Sequence, residues 1–156
     1  TGVGGALDKS LRPLDIVFAE KLVQHDMDTS PLGDPVGLIS GINRVYFDTD
    51  KRARALLEEA AKDMDINYLV GTVATGDRFI SAKSDKDRIT ETFGASACEM
   101  EGGAIAHTAF VNGVPFMVIR AISDSADGEA CMDYPTFLPL ATRISTALTL
   151  ALIEKY

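Results

Sequence analysis

Three short polar clusters, each following an apolar run, hold the residues best suited to chemistry: Thr75-Gly76-Asp77-Arg78-Phe79-Ile80, Glu99-Met100-Glu101-Gly102, and Arg120-Ala121-Ile122-Ser123-Asp124-Ser125-Ala126-Asp127. If the apolar runs are strands, the clusters project over one rim of a sheet. Carboxylates gathered there can move protons or steady a developing positive charge. For any one of these acids, capping a helix or standing in solvent is the plainer account. Three such clusters together shift the balance toward a site. Metal chemistry is a poorer fit, because Cys98 and Cys131 lie far apart with no CxxC spacing and no histidine at a ligand offset. Both read as free buried thiols.

The elements that must position these clusters alternate between strand and helix. Residues 14–23, with Ile16, Val17, Phe18, Leu22 and Val23 after Pro13, have a strand's composition, and residues 38–47 offer a second, weaker strand. The loop between them carries Pro31, Gly33, Pro35 and Gly37 and is long enough to serve as a lid or contact surface. Over residues 50–64, Ala53, Leu56, Leu57, Ala60 and Met64 recur on one helical face. Residues 68–74 read as a short buried parallel strand. Ser84 and Asp87 have the spacing of a capping box, which predicts a helix running to about Thr92. A brief strand over 96–99 follows, then a helix over 102–111 that Asn112-Gly113 stops. Residues 116–122 are the most strand-like run of the chain. A long helix over 136–154 places Phe137, Leu140, Ala141, Ile144, Leu148 and Ala151 on one face. Residues 1–7, rich in glycine, read as the turn after a strand, so the chain is expected to begin inside a fold. The pattern is that of an α/β protein: a mostly parallel or mixed central sheet flanked by helices, with ligands beyond the carboxyl ends of the strands.

Composition sets the outer bounds. With 156 residues, 46% of them hydrophobic, the chain can bury one ordinary core, and residues 1–156 read as a single domain. A net charge of −8 repels phosphate backbones and anionic lipid, so neither nucleic acid nor membrane is an expected partner. No apolar run approaches the roughly 18 to 20 residues of a membrane-spanning helix, and the start lacks a basic region followed by an apolar one. The expectation is a soluble, cytoplasmic protein.

Cys98-Glu99-Met100-Glu101-Gly102, followed by Ile119-Arg120-Ala121-Ile122-Ser123-Asp124, resembles the signature of nucleosidases in the purine nucleoside phosphorylase superfamily, the 5′-methylthioadenosine/S-adenosylhomocysteine nucleosidases in particular. The likeness takes in Asp15-Ile16-Val17, Gln24-His25-Asp26 and the Thr75 to Ile80 cluster, and so spans essentially the whole chain. It implies a phosphorylase/hydrolase-like fold here lacking the family's N-terminal strands. Such enzymes hydrolyse the N-glycosidic bond of a thio-substituted adenosine to adenine and a thioribose. They use no metal or organic cofactor and work as homodimers. A purine nucleoside phosphorylase and a silent adenine-binding protein are the competing readings.

The resemblance also implies roles. Asp124 would be the acid that hands or shares a proton at N7 of adenine, positioned by Ser123, and a helix cap is its plainer alternative. Glu101 would accept hydrogen bonds from ribose hydroxyls and stabilise a sugar gaining positive charge. Glu99 and Arg120 resemble the pair that orders the site and its water, and a structural salt bridge describes them equally well. Phe79 would stack on adenine while the main chain at Ile80 reads the base edge; Phe79 and Met100 are otherwise ordinary core residues. Tyr134 would close over the 5′ side of the sugar from a loop. His25 falls in the segment that relatives place near a partner's pocket, where Pro31 and Leu32 would add an apolar wall, whereas His107 reads as a packed helix residue. The family's catalytic base is a glutamate from a part preceding these residues, and Val3 stands where several relatives have serine. Loss of preceding strands is expected to leave an open hydrogen-bonding edge.

Overall fold

The computed structural model describes residues 1–126 and 132–156. Cys131 and Asp127 therefore lie outside the described residues. The elements run β1 (Gly2–Ala6), β2 (Ile16–Gln24), β3 (Tyr46–Asp48), α1 (Lys51–Asp63), β4 (Tyr68–Thr75), α2 (Lys83–Phe93), β5 (Ala95–Glu99), α3 (Gly102–Val111), β6 (Ile119–Ile122) and α4 (Tyr134–Lys155). The strands form one sheet in the order β3-β2-β4-β5-β1-β6, and β6 also pairs with β2. Five strands therefore close on themselves, with β3 attached outside β2 as the edge.

The sheet is mixed. β2–β4, β4–β5 and β1–β6 are parallel, whereas β1–β5, β2–β3 and β2–β6 are antiparallel. The expected open edge is taken up by this closure. Ile16, Val17 and Phe18 of β2 are bonded on one side to β4 and on the other to β6. Their side chains are fully buried, and that double pairing is why the stretch reads as a continuous apolar run.

The glycine-rich start is strand rather than turn. β1 lies between β5 and β6, and its glycines are required by close approach. A Cβ on Gly2 would fall on the Arg120 guanidinium, and one on Gly5 would sit 3.3 Å from Asp124 Oδ1 and 3.4 Å from Cys98 Sγ. Glycine marks here a strand flanked by large polar side chains.

Other elements depart from the sequence reading for local reasons. The strand expected over residues 38–47 shrinks to Tyr46–Asp48, with a single bridge between Ile39 and Arg44, because Gly41 and Asn43 take left-handed backbone between them. Strand β6 begins only at Ile119. The capping box does not form: α2 starts at Lys83 without a side-chain cap, and Asp87 instead binds Lys83 at 2.6 Å. Helix α1 matches its periodicity, with Asp50 capping through Ala53 N–H at 2.7 Å and Ala53, Leu57, Ala60 and Ala61 buried. Helix α4 starts earlier than expected, at Tyr134, because Asp133 accepts from Thr136 N–H and Pro135 suits the first turn.

Contrary to the expectation of no such run, α4 is long and apolar enough to cross a membrane by length and composition. Its Phe137, Ala141, Ser145 and Leu148 pack into the core instead, and Lys155 is tied to Glu59 of α1 at 2.7 Å. One core layer joins α1 and α4 to Ile16, Phe18 and Ile119. A second joins α2 to Val23, Ala74 and Cys98. Both lie on one face of β4, which gives Tyr68 and Val70 to the first and Ala74 to the second; its other face, with Leu69 and Val73, packs with Val17, Leu22 and Ala106 of α3 in a third layer, so the strands bearing the polar clusters are held from both faces.

Candidate active site

The polar clusters meet across β1. Strands β5 and β6 run in opposite directions, so their carboxyl ends do not share a rim in the way a parallel sheet would provide. They overlap sideways instead: Gly5 lies opposite Cys98, Gly4 lies beside Ile122, and Ser123 N–H donates to Gly4 O at 3.0 Å. A cavity of about 690 Å³ opens there. Its lining includes Phe79, Ile80, Glu99, Met100, Glu101, Ser123, Asp124 and Tyr134. Asp124 and Glu101 thus border one space. A smaller hollow of about 440 Å³ near Pro115 and Leu152 is lined mostly by apolar side chains, and its one carboxylate, Asp50, caps α1.

Glu99 is the anchor. Its side chain is 1% exposed and is bound by Arg120. It accepts from Thr75 Oγ1, from Glu101 N–H at 3.1 Å and from Gly102 N–H at 2.7 Å. Those amides begin α3, where a helix end favours negative charge. Thr75 Oγ1 also accepts from Gly103 N–H at 2.7 Å, so the end of β4 is bonded into the same turn. Arg120 reaches a second carboxylate, Glu101, at 3.4 Å, while its Nε has no protein partner. Glu101 itself is 66% exposed and faces the cavity.

Asp124 sits differently. Its side chain is 29% exposed and Oδ2 accepts from Lys86 Nζ at 2.9 Å. Ser123 Oγ lies 3.1 Å from Oδ1 and 3.3 Å from Gly4 O, so its one proton serves one or the other. Among the described residues the next helix is α4, and its cap is Asp133 rather than Asp124. Cys98 borders the same space, and burial pushes its thiol up to about 11.

The apolar side of the cavity also differs from ordinary core. Phe79 is 83% exposed in the loop before α2, and Met100 is likewise exposed, so neither is core filler. Tyr134 is exposed on the first turn of α4 rather than in a loop, its ring 6.1 Å from Phe137. His25 is not brought to the cavity. It is buried just past β2 beneath Gly76, both ring nitrogens lack a protein partner, and burial lowers its pKa. His107 stacks on Phe47 with ring centroids 5.5 Å apart, a packing role.

Lys86, Cys98, Phe137 and Met132 line the cavity although the sequence reading assigned none of them to the site. For Lys86 a signal existed. Ile89 and Phe93, three and seven residues on, are buried, which puts the lysine on the inward stripe of α2.

The chain matches the family model of the phosphorylase superfamily over residues 1–154. Among curated relatives, the aminodeoxyfutalosine nucleosidase of Campylobacter jejuni is 38% identical over 99% of this chain and 67% of its own length. The 5′-methylthioadenosine/S-adenosylhomocysteine nucleosidase of Treponema pallidum is 37% identical over 99% of this chain and 66% of its own length. The crystal structure of the Campylobacter jejuni 5′-methylthioadenosine/S-adenosylhomocysteine nucleosidase superposes with a TM-score of 0.94 at 37% identity, over 99% of this chain and 67% of that one. That of Helicobacter pylori with butyl-thio-DADMe-Immucillin-A gives 0.91 at 35% identity, over 100% of this chain and 67% of that one. The chain belongs to the phosphorylase superfamily and spans about two thirds of the length of these relatives. Within the superfamily, the curated relatives named here are nucleosidases.

Proposed function

We propose that the protein hydrolyses the N-glycosidic bond of 5′-methylthioadenosine and S-adenosylhomocysteine, releasing adenine and the thioribose. The observation that carries this is the convergence of Asp124, Glu101 and exposed Phe79 on one cavity. Phe79 stacks on the purine and the main chain at Ile80 reads its edge. The bond between C1′ and N9 breaks with its electron pair passing to the purine, and Asp124 supplies the proton at N7 that neutralises the leaving group. Glu101 steadies the electron-poor sugar and binds its hydroxyls, an interaction that strengthens toward the transition state. Water adds at C1′ and releases a proton to solvent, from which the spent Asp124 carboxylate regains its own, while Arg120 Nε is a donor with no protein acceptor among the described residues. Met100 and Tyr134 border the sugar and its 5′ substituent.

Hydrolysis is favoured over phosphorolysis by the state of the cations. Lys86 is held by Asp124, Arg120 by Glu99 and Glu101, and Arg78 by Asp85 at 3.3 Å. A phosphate acceptor needs cations free to converge on it. Purified protein incubated with methylthioadenosine should release adenine at the same rate with and without phosphate. A rate that depends on phosphate rejects hydrolysis. Adenine binding by calorimetry without any turnover would instead identify a silent binding protein.

The same reading makes the protein a cytoplasmic homodimer serving methionine salvage. His25 and the loop after it would then face the partner's 5′ pocket, consistent with Leu32 standing 83% exposed on that loop. Light scattering tests the assembly: a mass of one chain in solution rejects it.

A further inference from the structure

One cation at the cavity has no part in the reaction just described. Lys86 lies on the inward face of α2, its side chain is 9% exposed, and its Nζ lies 2.9 Å from Asp124 Oδ2 and 3.5 Å from Ser125 O. Burying an ammonium costs several kcal/mol, and an apolar side chain of similar length would fill the same place without that cost. The contact falls on the one carboxyl that must carry a proton in the proposed reaction. It leaves the other oxygen, Oδ1, to Ser123 and the cavity.

We propose that Lys86 is a positioning residue for the acid: it fixes Oδ2 of Asp124 against α2 and turns the rest of the carboxyl toward the purine. The proposal rests on the reading of Asp124 as proton donor. Lys86 gives up no proton itself; the one delivered to N7 comes from Asp124.

The other ionisable groups around this space come from different elements. Cys98 and Glu99 belong to β5, Glu101 follows β5, Arg78 precedes α2, and Asp133 and Tyr134 stand at the start of α4. Cys98, its thiol pushed up to about 11 by burial, stays neutral over the working range. Glu99 is bound by Arg120 and Arg78 by Asp85. Lys86 is the cation in contact with Asp124.

Steady-state adenine release from methylthioadenosine tests this with Lys86→Met, Lys86→Gln and Lys86→Arg beside the parent. kcat should fall roughly tenfold or more in the Met and Gln variants with KM little changed, and stay near the parent in Arg. A parent-like kcat in Met, or an Arg variant that follows Met, overturns the proposal. Asp124→Asn, run in parallel, separates the two claims, because turnover retained there rejects the acid itself whatever Lys86 does. Crystal structures of Lys86→Met and Lys86→Arg decide the positional part without turnover. The Asp124 carboxyl should leave its place in the first and keep it in the second, and an unmoved carboxyl in Lys86→Met also overturns the proposal.

Discussion

Two carboxylates border the cavity in opposite conditions. Glu99 is sealed in, with a guanidinium, a hydroxyl and two amides taking up its lone pairs. Asp124 is part-exposed, held by one ammonium and one shared hydroxyl. A fully bonded carboxylate is committed to its place. One with unused lone pairs can still take a proton from one side and release it on another. The difference separates the residue that builds the site from the one that works in it, although both are acids at the ends of strands.

That contrast can be broken at either end. At the working end, Asp124→Asn should lower turnover by roughly 10² to 10⁴-fold, the usual worth of a general acid. Its melting temperature should fall too, because buried Lys86 loses a charged partner, so steady-state adenine release is measured well below the midpoint that a thermal melt gives for the variant. At the anchored end the order reverses. Arg120→Met strands a buried carboxylate and should cost about 3–5 kcal/mol of stability, read by denaturant unfolding. A variant as stable as the parent would mean that Glu99 is not anchored by charge. Thr75→Val is gentler, removing the hydroxyl that donates to Glu99 and accepts from Gly103. It should cost about 1–3 kcal/mol in the same assay.

The smallest effect belongs to His25, which serves as a control outside the cavity. Burial lowers its pKa in the folded state, so below the ordinary value of 6.5 the unfolded chain takes up a proton that the native one refuses. Stability is therefore fully present above that pH and falls as pH drops from there toward the lowered native value. Melting temperatures across this window should decline in the parent, with a shallower decline in His25→Leu. Identical slopes would mean that His25 titrates alike in both states.

Much of this was legible in the sequence, and the exceptions share a cause. Periodicity marked α1, which has one inward side, whereas β4 showed as an apolar run because both of its faces are buried, and α3 by the Asn112-Gly113 stop at its end. The three polar clusters were legible for a similar reason, since each follows its strand directly. The nature of β1 was hidden. Its glycines are explained by Arg120, Cys98 and Asp124, residues about a hundred positions away, and glycine alone looks like a turn. Which strands of the sheet run antiparallel was hidden too, because strand polarity is set by pairings such as β2 with β6 that leave no local trace. Lys86 was passed over because a lysine in a charged helix reads as solvated, and only its offset from Ile89 and Phe93 betrays the inward face.

The near absence of side chains along β1 has a consequence for how the pocket can diversify. At Gly4 and Gly5 backbone alone fills the gap between the ends of β5 and β6, so the separation of the main-chain positions that carry the two reactive acids is set by peptide dimensions. Accommodating bulkier or smaller 5′ groups then falls to Phe79, Met100 and Tyr134, the exposed residues at the mouth, which can be exchanged while the distance between acid and sugar stays the same.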